Sequence, residues 1–350
     1  MRHVVVISTG GTIASRWQGD GYAAEAAGQE VLAAGAVPEG VDVTVVDLFT
    51  VNSSRLTTDH QLRLLHAVHD ALADPAVDGV VVTHGTDTLE ESAFFLDLFH
   101  GDRRPVVFTG AQKPLDAEDG DAAGNLYDAL LTAATGRDIG AVIVFAGQVF
   151  AARGTVKKHT VDARAFGDPD GLPLGRVEFG RVTWGRRRPR AEALPLPAPG
   201  TPAPRVDILM HHSDGDAVLL EAALNAGARG LVVVGTGAGN ANPQVAEAVA
   251  KATADGVLVA VSTRVAAGAV APLYTGGGAV DLVAGGALLA GTLGAGQTRI
   301  AVLAALLTGG HPGAGRTPGR TPRETLRRIL ETNSQALPAS ELYLVDGVGK

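Results

Sequence analysis

The sequence has no cysteine among its 350 residues. This absence excludes disulfide bonds, thiolate metal sites and cysteine-dependent hydrolysis, although it leaves the cellular compartment open. Aromatic residues are scarce as well, with 9 Phe, 4 Tyr and 2 Trp beside 46 Gly. Such a composition favours thin, closely packed helices and strands, and it indicates no function by itself.

Long apolar runs and an excess of positive charge are also lacking. The apolar stretches are broken by Gly and Asp, as at Asp281 within 279–294, and none reaches the ~20 residues of a bilayer-spanning helix. The formal net charge is -8, which creates no overall attraction for nucleic acid or an anionic membrane. A basic run lies at 186–190, and we interpret it as a solvated edge. Neither nucleic acid nor a membrane is therefore expected as a partner.

The first residues give an expectation for the compartment. Met1, Arg2 and His3 lead directly into an apolar run at 4–7. This run is too short for the core of a signal peptide and is typical of a first strand. We therefore expect a cytoplasmic protein.

The sequence is organised around a strand, a tight turn and a helix at 80–91, Val-Val-Val-Thr-His-Gly-Thr-Asp-Thr-Leu-Glu-Glu. The β-branched run at 80–82 is typical of a strand buried on both faces, and Gly85 allows a sharp turn. Thr86 and Asp87 are therefore expected between the carboxyl end of a strand and the amino end of a helix. Ligands bind at this place in open α/β sheets, because free backbone amides and the helix dipole favour negative charge there.

Three segments carry the spacing of a helix N-terminus. Thr88 precedes Glu91 by three residues and Thr58 precedes Gln61 by three, so each pair predicts a capping box. The segment Thr321-Pro322-Arg323-Glu324 predicts the start of a last helix in the same way.

Strand and helix patterns alternate along the chain. We predict strands at 3–8, 41–46, 80–82, 105–109, 141–145, 206–210, 231–234 and 257–261. In the second half, helices are predicted near 217–226 and at 243–254. The alternation predicts an α/β protein whose larger, N-terminal part is a doubly wound, mostly parallel sheet.

A Pro-rich segment at 191–205 divides the sequence, and we predict it to be an interdomain linker. Residues 1–190 then form the N-terminal catalytic α/β domain, and residues 206–350 form a smaller C-terminal α/β domain. Four irregular segments are also predicted: a mobile loop at 13–30, an excursion from the sheet at 148–160, a flexible loop at 309–320 and a flexible tail at 334–350.

Hydroxyl groups recur where strands are predicted to end. Thr12 follows a Gly-Gly turn after the first strand, Ser53 follows the second strand and Thr86 follows the central one. A hydroxyl attacks an amide only after a base has taken its proton; Lys157 can be that base, and a carboxylate such as Asp87 can orient it or bind an ammonium group. The set suits acyl transfer by threonine, but hydroxyls at strand ends are also common without such chemistry.

Two groups of candidate metal ligands do not fit a metal site. Asp116, Asp119 and Asp121 lack the EF-hand spacing and its terminal Glu, which favours a solvated loop. His211 and His212 are adjacent, and adjacent strand residues point to opposite faces of a sheet. We therefore predict no metal.

Five motifs, in order along residues 3–310, closely resemble those of bacterial-type L-asparaginases. The first two are Thr9-Gly10-Gly11-Thr12-Ile13-Ala14 and the segment Thr83 to Glu91. The third is Gly110-Ala111-Gln112-Lys113-Pro114, which resembles the family's Gly-Ala-Met-Arg-Pro and is followed by Asp121 and Asn125-Leu126. The last two are 153–157 with Asp162, and the turn Gly239-Asn240-Ala241-Asn242-Pro243.

The resemblance implies hydrolysis of L-asparagine to L-aspartate and ammonia through an acyl-threonine intermediate, without cofactor or metal. Thr12 would be the nucleophile, and Tyr22 in the mobile loop would relay its proton. Thr86, Lys157 and Asp87 would form a second group, in which Lys157 keeps Thr86 reactive. Either threonine can be the first to attack, and we favour Thr12.

The resemblance also implies substrate contacts and an oligomer. Ser53 would hold the α-carboxylate with Ser54 and the backbone of Ala111 nearby, and Asp87 would hold the α-ammonium. Family members are usually homotetramers built from tight dimers, whose sites lie between one subunit's N-terminal domain and its neighbour's C-terminal domain. Asn242 would then belong to the neighbour's site.

The sequence departs from the better-known periplasmic members at two places. Ser54 stands where they carry Gln, and residues 271–281 contain no Glu where they place one near the substrate ammonium; Tyr274 and a Gly run at 276–278 stand there instead. The preference for asparagine over glutamine is therefore open.

Three other functions are weighed. A glutaminase and an ammonia-supplying amidotransferase subunit are alternatives, although the latter would normally carry a further N-terminal domain and need a partner chain. A non-catalytic amino-acid-binding protein is the third, but binding alone would not require Lys157.

Overall fold

The computed structural model describes residues 1–33, 35–185, 190–309 and 320–331. Contacts between residues divide the chain into two compact units, Met1–Thr201 and Pro202–Lys350. The predicted tail at 334–350, and all but the two end residues of the loop predicted at 309–320, lie outside the described residues.

The first unit is built on an eight-stranded sheet with the order β12-β11-β8-β7-β6-β5-β1-β4. Its strands are β1 (Arg2–Ser8), β4 (Val41–Asp47), β5 (Val77–Thr83), β6 (Val106–Thr109), β7 (Ala141–Phe145), β8 (Gln148–Ala151), β11 (Gly175–Glu178) and β12 (Arg181–Trp184). Four short strands form two separate hairpins: β2 (Ser15–Trp17) with β3 (Tyr22–Ala24), and β9 (Val156–Lys157) with β10 (Phe166–Gly167). The helices are α1 (Gly28–Ala33), α2 (Thr58–Ala73), α3 (Leu89–Phe99) and α4 (Ala122–Thr135).

Five neighbouring strands of this sheet are parallel, in the order β4-β1-β5-β6-β7. The connection after β1 leads to β4 on one side of it, whereas the later strands β5, β6 and β7 follow on its other side, so the direction of the connections reverses between β1 and β5. This reversal is the topological switch point at which doubly wound folds bind ligands. Helices α1 and α4 contact each other, as do α2 and α3, so the strands have helices on both faces. The predicted α/β class and the predicted parallel strands are confirmed.

Residues of the central strands are buried on both faces, as their β-branched runs predicted. Val80, Val81 and Val82 are fully buried. Alternate residues of β1, Val4 and Val6, belong to a core that also contains α4 side chains. A strand buried in this way holds its carboxyl end, and therefore the turn that follows, in a rigid position.

Two predicted irregular segments are partly regular. Residues 13–30 contain most of a 3-10 turn (Thr12–Ala14), the β2–β3 hairpin and the start of α1, so the prediction of a loop over this whole range is wrong. The excursion predicted at 148–160 is wrong for its first residues, because β8 pairs antiparallel with β7 and extends the sheet. The strands in both segments are short, and pairing with a neighbouring strand decides their structure.

Two predicted capping boxes are also wrong in detail. The hydroxyl of Thr88 lies at the N-cap position of α3 but donates to the carbonyl oxygen of Ser53 (2.9 Å) instead of capping the helix. Helix α2 is capped one residue earlier than predicted, by Thr57 with His60 as its reciprocal partner. An imidazole here replaces the Glu or Gln on which the prediction of Thr58 and Gln61 relied.

The second unit contains a parallel sheet with the order β13-β14-β15-β16, from β13 (Val206–Met210), β14 (Gly230–Gly235), β15 (Leu258–Thr263) and β16 (Leu288–Leu289). Its helices are α5 (Val218–Asn225), α6 (Pro243–Ala254), α7 (Ala279–Ala284), α8 (Ala295–Thr308) and α9 (Pro322–Glu331). The predicted start of α9 is confirmed, since the amide and hydroxyl of Thr321 both donate to Glu324. None of the described helices is long and apolar enough to cross a bilayer.

Candidate active site

Two glycine turns bring the ends of β1 and β5 into contact. Gly11 has a φ of +86°, and a Cβ placed on it would lie 2.2 Å from the Cα of Gly85. A Cβ on Gly85 would in turn lie 2.6 Å from the hydroxyl oxygen of Ser53. Only glycines allow so close an approach. The next residues along each turn, Thr12 and Thr86, are thereby placed at the switch point together with Ser53.

Lys157 lies at the centre of a hydrogen-bonded group with Thr86 and Asp87. Its ammonium Nζ is 2.8 Å from the hydroxyl oxygen of Thr86 and 3.0 Å from Oδ1 of Asp87. Thr86 is buried, the Lys157 side chain is 16% exposed, and the Asp87 side chain is 59% exposed. The group therefore has a buried hydroxyl at one end and a carboxylate open to a ligand at the other.

Ser53 is fixed beside this group. It lies in a 3-10 turn (Ser53–Arg55), is buried, and accepts a hydrogen bond from the backbone amide of Asp87 through its hydroxyl oxygen (3.1 Å). The hydroxyl proton of Ser53 thus points elsewhere and can be donated to an anion. Ser54, the next residue, is exposed.

A further turn, which follows β6, contacts Thr86. The hydroxyl of Thr86 donates to Oε1 of Gln112 (3.1 Å). Asp121 holds this turn by accepting from the backbone amides of Gln112 and Lys113, and Asn125 donates to the carbonyl of Gly110 (3.0 Å). The side chain of Asp121 therefore fixes the backbone of this turn, whereas the sequence predicted it to be part of a solvated loop. Ala111 is buried within the same turn.

Thr12 and Tyr22 are not joined by a hydrogen bond in the described part of the chain. Thr12 begins the 3-10 turn after β1 and is partly buried. Tyr22 lies on β3, is 55% exposed and packs edge-to-face on Trp17, with ring centroids 5.1 Å apart. The predicted proton relay thus requires the hydroxyl of Tyr22 to approach Thr12 when substrate is bound.

His84 is a buried residue that contacts the backbone of the turn after β5. Complete burial lowers the pKa of His84 to about 4, so its imidazole is neutral at physiological pH. Its Nδ1 lies 2.7 Å from the carbonyl oxygen of Gly85 and must donate, so its Nε2 accepts from the hydroxyl of Ser92 (3.0 Å). Both ring nitrogens are engaged, which makes His84 a structural support and not a base.

Glu90 is an acid that the sequence did not single out. Burial raises its pKa to about 7, although the positive charge of Lys157 and a hydrogen bond from the Lys157 backbone act in the opposite direction. Glu90 and Gln112 both follow strands that neighbour the switch point. Gln112 lies shortly after the strand predicted at 105–109, and this position is the signal by which it could have been found, whereas Glu90 lies in the first turn of α3 and carries no such signal.

Asn242 has a structural role in the second unit. Its Oδ1 accepts from the backbone amide of Val245 (3.0 Å), which caps α6 as its position before Pro243 predicts, and its Nδ2 donates to the carbonyl of Gly215 (2.6 Å). In the segment that lacks Glu, Asp281 accepts from the backbone amide of Gly277 (2.6 Å). Tyr274 is exposed.

The remaining candidate ligands and charges have other roles. His211 and His212 follow the end of β13, so the alternation of strand residues on which their expected orientation relied does not apply to them; their ring centroids are 6.5 Å apart and their planes differ by 14°. No cluster of three or more His, Asp or Glu able to hold a metal occurs in the described ranges. Arg190 donates to the backbone carbonyls of His100 and Asp102 and is not part of a solvated edge; residues 186–189 lie outside the described ranges.

Comparison with known proteins gives matches along most of the chain. Residues 3–190 match the family model "Asparaginase, N-terminal", and residues 205–316 match "Glutaminase/Asparaginase C-terminal domain". The chain is 37% identical over 341 residues to a probable L-asparaginase of Deinococcus radiodurans, covering 93% of this chain and 96% of that one. It is 35% identical over 294 residues to an L-asparaginase of Bacillus licheniformis, covering 82% and 90%.

A solved structure shares the fold. The crystal structure of a probable cytoplasmic L-asparaginase from Campylobacter jejuni matches with a TM-score of 0.82 and 28% identity, covering 94% of this chain and 99% of that one.

Proposed function

Because the chain belongs to the asparaginase family, we propose that it hydrolyses L-asparagine to L-aspartate and ammonia. The observation that carries the proposal is the contact of Lys157 with both Thr86 and Asp87. A lysine held against a buried hydroxyl is the arrangement by which an amine and a hydroxyl exchange a proton during acyl transfer. A protein that only binds an amino acid has no use for it.

In the proposed first step, the hydroxyl oxygen of Thr12 attacks the side-chain amide carbon of asparagine. The carbon–nitrogen bond breaks, and ammonia leaves with the proton that Tyr22 relays from Thr12. The product is an aspartyl ester of Thr12. Backbone amides at the two glycine turns are available to stabilise the oxyanion, an effect worth roughly 10²–10³ in rate per donor.

In the second step, water attacks the ester carbon, which releases L-aspartate and restores the hydroxyl of Thr12. We assign Thr86 and Lys157 to the proton transfers that this water requires. The same pair is the basis of the alternative in which Thr86 attacks first. We favour Thr12, because Thr86 is buried and its hydroxyl proton is donated to Gln112 and not to Lys157.

The α-groups of the substrate fit the polar groups around the site. The exposed carboxylate of Asp87 is proposed to bind the α-ammonium. Ser53 is proposed to donate its hydroxyl proton to the α-carboxylate, with Ser54 and the backbone of Ala111 nearby. The lack of a Glu at 271–281 leaves the ammonium to Asp87 in this subunit, which keeps glutaminase activity as an alternative.

We further propose that the protein is a cytoplasmic homotetramer or dimer in which Asn242 serves the neighbouring subunit's site. Support for the compartment comes from the Campylobacter jejuni protein of the same fold, which is described as cytoplasmic. The proposed partner is the small-molecule substrate, without metal or cofactor.

The test is ammonia release by the purified protein with L-asparagine, L-glutamine and D-asparagine in parallel. We expect fast release of ammonia from L-asparagine and slower release from L-glutamine and D-asparagine. The reason is that Asp87 and Ser53 select the position of the α-ammonium and α-carboxylate and the chirality of the α-carbon. Acid quenching during turnover should leave an aspartyl group on Thr12 in peptide mapping, and Thr12→Ala should show none. Faster release from L-glutamine would favour the alternative, and no release from any of the three would contradict hydrolysis.

A further inference from the structure

The amide of Gln112 can adopt only one orientation. Its Nε2 lies 3.3 Å from the carbonyl oxygen of Thr160 and 3.2 Å from that of Asp162, and both of these oxygens are acceptors. Turning the amide over would place its oxygen against two carbonyl oxygens and forfeit both hydrogen bonds. The Oε1 of Gln112 must therefore face Thr86.

This orientation determines where the proton of Thr86 lies. An amide oxygen only accepts, so the proton between Thr86 and Gln112, whose oxygens are 3.1 Å apart, belongs to Thr86. A hydroxyl has one proton. The hydrogen bond of 2.8 Å between Thr86 and Lys157 must then be donated by Lys157, whether its nitrogen is an ammonium or an amine.

We propose that Gln112 is a positioning residue that turns the hydroxyl proton of Thr86 away from Lys157 and presents an oxygen lone pair of Thr86 to Lys157. The backbone of Gln112 is itself fixed, because its amide donates to both carboxylate oxygens of Asp121 (3.1 and 3.0 Å). Thr86 is thus held as an acceptor for Lys157 before substrate arrives. Because Lys157 is already directed at an oxygen lone pair of Thr86, a proton can move from Lys157 towards Thr86 without reorientation of either group.

The orientation of the Thr86 hydroxyl bears on which threonine, Thr12 or Thr86, attacks the substrate first. Lys157 cannot take the proton of Thr86 until the hydroxyl has turned away from Gln112. Gln112 therefore disfavours Thr86 as the first nucleophile and leaves that role to Thr12. In the resembling Gly-Ala-Met-Arg-Pro segment, a Met at this position has no amide oxygen, so the restraint belongs to chains with Gln here.

The direct test is neutron diffraction from a crystal of the deuterated protein. We expect the deuteron of Thr86 on the line to Oε1 of Gln112, and a deuteron of Lys157 on the line to the oxygen of Thr86. A deuteron of Thr86 directed at Lys157 would overturn the proposal. This readout does not depend on activity, so it stands even if the proposed hydrolysis of L-asparagine fails.

The kinetic test rests on the proposed function and compares two variants of similar size. Gln112→Met loses the acceptor for Thr86 and the donor to residues 160 and 162, whereas Gln112→Glu, assayed at alkaline pH where it is ionised, keeps an acceptor for Thr86 but replaces the donor with a carboxylate oxygen that faces the carbonyls of residues 160 and 162. We expect kcat to fall about tenfold in Gln112→Met, which is the effect of one neutral hydrogen bond, with KM changed less than about twofold. Gln112→Glu should retain most of kcat.

Two kinetic results would overturn the proposal. If Gln112→Glu lost as much kcat as Gln112→Met or more, an acceptor for Thr86 at this position would have no effect of its own on kcat. Wild-type kcat in Gln112→Met would show that the orientation of Thr86 has no effect. Absence of ammonia release from the wild type would instead contradict the proposed function, and the neutron result would still decide the orientation.

Discussion

Glu90 is the residue whose protonation links the site to the stability of the protein. It lies in the first turn of α3, and its carboxyl group accepts a hydrogen bond from the backbone of Lys157. Burial raises its pKa from 4.5 to about 7. Near neutral pH the folded protein therefore holds a proton on Glu90 that the unfolded chain has already released.

The raised pKa predicts how Glu90→Gln changes stability with pH. As the pH rises from 4.5 to about 7, the unfolded chain loses this proton first, so the free energy of unfolding of the wild type falls in that window. The glutamine variant does not titrate and should gain stability relative to the wild type, by up to about 3 kcal/mol. Urea unfolding at a series of pH values measures the difference. Glu118→Gln, at an exposed position, is the control and should show no such trend; a flat difference for Glu90→Gln would contradict the burial argument.

At the scale of elements, the corrected start of α2 gives a prediction with a matched control. Thr57 is the cap, so Thr57→Ala should lower the free energy of unfolding of its unit by ~1 kcal/mol. Thr58 is the first helical residue, and Thr58→Ala should cost less than about 0.5 kcal/mol because alanine is the better helix former. Chemical denaturation of both variants measures the two costs. Equal costs, or a larger one at Thr58, would show that the helix begins where the sequence predicted.

The same elements show how far the sequence predicts the fold. The parallel strands were predictable because continuous β-branched runs such as 80–82 are typical of strands that are buried on both faces. Helix α8 was missed because Ile300 to Ala305 are buried on every side, so no amphipathic period marks them. Strands β11 and β12 were missed because they are short and are defined by pairing, β11 with β8 and β12 with β11.

Only part of the site was predictable from the sequence, and the reason is physical. Thr12, Thr86 and Asp87 follow strands whose ends meet at the switch point, and the order of parallel strands brings them together. The contacts of Gln112 and Glu90 depend on how a neighbouring turn packs, which no local pattern encodes. Chemistry alone made Lys157 one candidate base on a segment predicted to be irregular, and the resemblance to a family paired it with Thr86.

At the scale of the whole molecule, the fold alone does not determine the reaction. Doubly wound sheets serve many functions, so the function follows from the groups at the switch point. In this chain those groups are hydroxyls, one lysine and one exposed carboxylate, without a metal cluster in the residues that the structure describes. The net charge of -8 is consistent with a small, zwitterionic substrate and not with a polyanion.

The most direct test of the central claim is ammonia release from L-asparagine by Lys157→Met, compared with Lys158→Met. Both changes remove a lysine charge from the same short segment, but only Lys157 contacts Thr86 and Asp87, and Lys158 is exposed. We predict that Lys157→Met loses at least about 10²-fold in kcat, the usual contribution of proton transfer by a side chain, while Lys158→Met keeps wild-type activity. Activity that survived in Lys157→Met, or was lost equally in both variants, would contradict the assignment of the reaction to this site.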